Sequence, residues 1–147
     1  MEKSVAINRL EAIIEVTASS GSLSIVGARD VFSHIDLALK DRQEIKVSQA
    51  SEMNFFICVL NKDSSFEEAF SSTPKGLALS AIYDNAIVNI CSDYKHLLEK
   101  QSMFFYLGDN VVARVNAYSD GLHINRYPLS HPVLWQSRRG HFFVIPV

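Results

Sequence analysis

Between Arg114 and Tyr127 the chain alternates with a period of two. Val115, Ala117 and Ile124 fall on one side, and Arg114, Asn116, Tyr118, His123, Asn125 and Tyr127 on the other. Successive side chains of a strand point to opposite faces, so this alternation predicts two half-buried strands. Asp120-Gly121 between them predicts a hairpin. With these two residues as the turn, Tyr118 is expected opposite His123, Asn116 opposite Asn125, and Arg114 opposite Tyr127. The apolar trio belongs on a core and the polar and aromatic six on an open sheet face.

Elsewhere the pattern changes along the chain. Ile7, Leu10, Ile14 and Thr17, widened by Ile13, follow a three-four spacing that predicts a helix over 4–19, ended by Gly21. Phe32, Ile35 and Leu39 predict a second helix from Arg29 to Lys40. Glu44–Gln49 alternates like a strand, and Met53–Leu60 is apolar throughout, like a strand buried on both faces. A serine after Lys62-Asp63 is placed to cap a short helix through Phe70. Leu77–Tyr83 and Ala86–Cys91 read as strands joined at Asp84-Asn85. Ser92 is the expected cap of a helix over Tyr94–Lys100. Met103–Leu107 is a strand that turns at Gly108-Asp109-Asn110. A last hairpin is expected from Val133–Ser137 and His141–Ile145, about Arg139-Gly140. The predicted architecture is α+β in one domain, 1–147. It is helical over 4–40 and mainly β over 44–147, with inserted helices near 65–71 and 93–100. The N-terminal helices would pack on one face of a mostly antiparallel sheet of roughly six to eight strands.

Composition adds little to this and charge adds more. The 147 residues are 48% apolar and 20% charged, ordinary for a globular chain able to fold without disulfide or metal. Residues 1–110 carry ten Lys/Arg against fifteen Asp/Glu (−5), and residues 111–147 four Arg against Asp120 alone (+3), which makes up the net −2. Three of the five histidines (His123, His131 and His141) also lie in that last segment. The overall balance argues against a general nucleic-acid coat or a polybasic membrane binder, while the polarity could orient an anionic partner. Cys58 and Cys91 lie in apolar runs, as buried free thiols do. Neither close Cys spacing nor a His-x₃-His pair suggests a metal site, and no cofactor motif is present. The N-terminus lacks the features of a signal peptide and the longest apolar run is too short to span a bilayer, so a cytoplasmic protein with no membrane partner is expected.

Candidate chemistry is sparse. The residues Leu10-Glu-Ala-Ile-Ile and Ser20-Gly21-Ser22-Leu23-Ser24 resemble the opening of a LysR-type winged-helix domain, which would imply DNA binding. The resemblance stops at Val31–Lys40, which lacks the Ser/Gln-rich recognition helix and is followed by no basic run. Two imidazoles and guanidinium groups at His123, Arg126, Arg138 and His141 could serve a phosphate-bearing ligand, with the histidines moving protons and arginine steadying negative charge. Arg126, however, falls on the strand face opposite His123. Arg138-Arg139-Gly140 could hook a phosphate at a turn, and Trp135 is expected in the core. The absence of a nucleophile elbow leans away from an enzyme. The leading expectation is a protein-binding domain of the inhibitor, immunity or accessory kind, using Arg114, Asn116, Tyr118, His123, Asn125 and Tyr127. Nucleotide or RNA is the alternative partner, and an unpaired edge in the last hairpin would support a homodimer.

Overall fold

The computed structural model of the protein describes residues 7–18, 25–41, 51–73 and 76–146. They form an α+β arrangement around one seven-stranded mixed sheet. The strands are β1 (Ile7–Ala18), β2 (Phe32–Ile35), β3 (Ser51–Leu60), β4 (Met103–Gly108), β5 (Val111–Tyr118), β6 (Gly121–Pro128) and β7 (Phe142–Pro146), in spatial order β1-β3-β7-β4-β5-β6-β2. The β4/β7 and β2/β6 pairs are parallel and the other neighbours antiparallel. Two helices are inserted, α1 (Phe66–Ser71) and α2 (Asp84–Asp93).

Residues 7–18 are strand rather than helix, and pair with β3 from Ile7↔Leu60 to Ala18↔Ser51. Ile13, Ile14, Val16 and Thr17 are β-branched, and a long apolar partner strand suits them better than a helix does. The expected second helix is instead β2 followed by a 3-10 turn, Leu37–Asp41. Asp36 closes it: one carboxylate oxygen accepts from Ala38 N–H and the other from Arg126 N–H, both at 3.0 Å. The remainder of 4–6 and 19–24, and the strand expected over Glu44–Gln49, lie outside the described residues. Asp84-Asn85 starts helix α2 instead of turning a hairpin, and Leu77–Leu79 is a 3-10 turn. A short, mostly apolar run fits a buried helix as well as a strand, and here Asp84–Val88, Ile90 and Cys91 of α2 are buried. The turn after it, Lys95–Glu99, is 3-10, and Ser92 lies within α2 rather than capping a helix. The last hairpin does not form. Trp135 makes a single bridge to Ser64, and β7 runs inside the sheet between β3 and β4 rather than at an edge.

Other local readings hold. Ser65 caps α1 in a reciprocal box with Glu68. Asp109 and Asn110, at φ of 51° and 62°, make the tight β4–β5 turn. Cys58 and Cys91 are buried and free, and burial pushes the Cys58 thiol up to about 11 and the Cys91 thiol higher still.

Both sheet faces are covered, which is why β4 is buried from Met103 to Leu107. On one face Met103, Phe105, Ala113, Val115 and Ile124 pack with Ile87, Ile90 and Cys91 of α2. On the other Phe104, Tyr106, Val112 and Phe143 pack with Phe66, Ala69 and Phe70 of α1. Helix α2 has ten residues and α1 only six. Toward the β5–β6 turn the second face loses its cover: Arg114 and Asn116 are half-buried and Tyr118 is exposed.

Candidate functional site

The uncovered part of that second face carries the polar residues singled out in the sequence. The chain turns at Ser119-Asp120, and Tyr118 pairs with Gly121, Asn116 with His123, Arg114 with Asn125, and Val112 with Tyr127. The pairing is thus two residues away from the expected register. A slip of two preserves sidedness, so the same six residues share one face; a slip of one would have inverted them. Gly121 accounts for the shift. Its φ is +127°, and a Cβ there would lie 2.9 Å from Ser33 Oγ of β2, so this position belongs beside the edge strand rather than inside a free loop.

Along this face burial declines in steps. Tyr127 is half-buried, 6.0 Å from the Phe66 ring and 5.0 Å from His131, and belongs to the packing under α1. Arg114, Asn116, His123 and Asn125 are half-buried, and Tyr118 is 54% exposed. The Tyr118 and His123 rings lie 4.2 Å apart, His34 of β2 stands 5.1 Å beyond, and His123 Nε2 meets Asp120 Oδ1 at 2.7 Å.

A second group centres on Ser102, which no sequence signal marked. Ser102 lies one step beyond the Met103–Val115 and Met103–Phe142 pairs, and so sits between Asn116 and His141. Its carbonyl accepts from Phe142 N–H at 2.9 Å, and its own N–H donates to His141 Nδ1 at 3.3 Å. Its hydroxyl donates to Asn116 Oδ1 and accepts from Arg114 Nε at 3.1 Å. The Arg114 guanidinium lies 5.7 Å from the Phe104 ring, its cross-strand neighbour, and 5.1 Å from Trp135. Trp135 is brought there by its two backbone hydrogen bonds to Ser64, and packs 4.8 Å from Phe104 and 5.0 Å from Phe66. Its indole N–H is buried and meets no acceptor among the described residues. Burial, then the Arg114 and Arg139 charges, lower the pKa of His141 below the ordinary imidazole range.

Two clefts flank this group and share Arg114 and His141. One, about 270 Å³, runs past Lys100, Ser102, Asn116 and Tyr118. The other, about 300 Å³, runs past Val133, Leu134, Trp135 and Arg139. Leu134 is 56% exposed and Val133 41%.

The alternative set of His123, Arg126, Arg138 and His141 is spread over separate places. His123 stands with Tyr118 and Asp120, Arg126 is exposed beside Asp36, Arg138 Nε donates to Gln136 Oε1 at 3.1 Å, and His141 stands with Arg114. Among the described residues no three His, Cys, Asp or Glu side chains come together as a metal site would need, and no helix is long and apolar enough to cross a membrane. Comparison with protein families, with curated proteins and with solved structures finds no match to this chain.

Proposed function

We propose that this chain is a non-enzymatic domain that works by docking onto another protein, in the manner of an inhibitor, immunity or accessory protein. What supports the reading is one strip of surface. It runs from Tyr118 through Asn116 and Arg114 to Trp135, Leu134 and Val133, joined through the two clefts that share Arg114 and His141. Tyr, Trp and Arg are the residues that most often dominate interface energetics. Here Tyr118, Val133 and Leu134 are exposed at the ends of the strip, while Arg114 and Trp135 are packed in its middle. Apolar side chains left open around preorganised aromatic and guanidinium groups lose little freedom on binding, which favours association.

The test is affinity capture from the native host with the whole chain as bait, followed by titration with the captured protein. Tyr118→Ala combined with His123→Ala is expected to keep the fold and weaken that interaction by about 2 kcal/mol or more, as hot-spot residues do. Wild-type affinity in the double variant and in Leu134→Ser would remove this surface from the reading.

A further inference from the structure

The hydrogen bonds around Ser102 have a directional consequence. A backbone N–H can only donate, so the Ser102 amide makes Nδ1 of His141 the acceptor and leaves the ring proton on Nε2. The Ser102 hydroxyl proton goes to Asn116 Oδ1, which leaves Asn116 with the two N–H bonds of its amide nitrogen. Arg114 spends its Nε–H on the Ser102 oxygen, which leaves its terminal N–H groups. The bonds to Ser102 occupy Nδ1 of His141 and one of the two lone pairs of Asn116 Oδ1, so donors predominate in what Arg114, Asn116 and His141 have left for the clefts. Among the described residues no carboxylate pairs with Arg114; Lys100 lines one cleft and Arg139 the other, and Glu99 is the single acid of the two.

We propose that Arg114, Asn116 and His141 form a receptor for an oxyanion, a phosphate or a carboxylate presented end-on to the Arg114 fork. Several features fit an anion and not a neutral or cationic group. The guanidinium is half-buried against Phe104 and Trp135, so its charge is partly stripped of water and gains more from an opposite charge than a surface arginine would. Its Nε is already engaged, so the side-on approach is closed and the terminal fork is the open one. His141 stays neutral near pH 7, because burial and the Arg114 and Arg139 charges oppose its protonation, and so it contributes an N–H without a charge of its own. Ser102, 4% exposed, is a positioning residue: it fixes the three donors and takes no part in the contact. This site stands on the direction of its hydrogen bonds, and holds whether or not the surrounding surface docks a protein.

The experiment uses the ¹⁵N-labelled whole chain, titrated with inorganic phosphate and separately with acetate at constant ionic strength set by chloride. The expected result is a saturable change centred on the Asn116 side-chain amide, the Arg114 Nε–H and the His141 ring, with a dissociation constant on the order of 1 mM. Arg114→Lys keeps the charge and loses the planar fork, and should weaken binding by about tenfold. Asn116→Asp keeps the shape and replaces the amide donor by a carboxylate, and should abolish binding even if the Arg114 variant is unstable. Arg126→Ala, which removes a basic group outside the site, should change nothing. Saturation by phosphate alone assigns phosphate-bearing ligands, and saturation by both assigns carboxylates as well. Changes that never saturate with either anion, or that Arg126→Ala reduces as much as Arg114→Lys does, would overturn the site.

Discussion

Strand β5 shows two different fates on its two faces. On the α2 side Val111, Ala113 and Val115 are all buried and only Ala117, at the end next to the turn, is exposed. On the α1 side Val112 is buried, Arg114 and Asn116 are half-buried, and Tyr118 is exposed. The strand is one and its pleat is regular, so the contrast comes from what lies above it. Helix α2, the Lys95–Glu99 turn with Leu98, and Ile25 and Ala28 close the first face, and α1 with the Trp135 segment covers part of the second. The lesson is that the candidate site needs no irregular backbone of its own. It exists because the cover from α1 and the Trp135 segment ends part way along the face and leaves polar residues on regular strands, where Ser102 can hold three of them in fixed directions.

This contrast can be broken from the closed side. Phe105→Ala removes a fully buried ring from the α2 face and should cost about 3–5 kcal/mol in urea unfolding, while Tyr118→Ala on the open face should stay within about 0.5 kcal/mol. Equal losses would mean that Tyr118 is a core residue and the open face is misassigned. A smaller effect is expected at the hinge between the strands. Gly121→Ala adds a Cβ against Ser33 at a positive φ, and should lower stability by roughly 1–3 kcal/mol in thermal unfolding. A neutral outcome would show that the hairpin does not close beside β2 as described.

The smallest effect is a pH slope. His141 titrates lower in the folded chain than in the unfolded one, whose imidazole titrates at about 6.5. Between the two values the unfolded chain binds the extra proton, so acid favours unfolding. The contribution is complete above about pH 6.5, is lost as pH falls through the folded value, and does not change further below it. His141→Gln should flatten the dependence of melting temperature on pH in that window. An unchanged slope would place the His141 ring in water.

Much of the C-terminal half was legible in the residues themselves. The two-residue alternation between Arg114 and Tyr127 identifies the polar face, and, earlier in the chain, a serine after Lys62-Asp63 marks the start of α1, while its partner Glu68 emerges only in the structure. Even an error of two residues in the β5–β6 register left that face intact, because a strand repeats every two residues. The expectation for Trp135 was half right: it packs on Phe66 and Phe104, yet also lies against Arg114 and lines a cleft. The first half was legible much less well. Ile7–Ala18 carries a spacing that suits a helix and side chains that suit a strand, and the Phe-rich β3 alongside decides between them. Ala86–Cys91 is apolar except at Asn89, so its periodicity could not separate helix from strand.

What the sequence determined alone is local: which side of a pleat the strand residues between Arg114 and Tyr127 occupy, where the Asp109-Asn110 turn falls, and that a serine caps α1. These follow from a residue's own geometry and that of its near neighbours. Only the tertiary structure decided that Ser102, Arg114, Asn116, Trp135 and His141 meet. Their meeting depends on β7 lying parallel to β4 and on Trp135 bridging to Ser64, contacts between residues distant in the chain that no local pattern encodes.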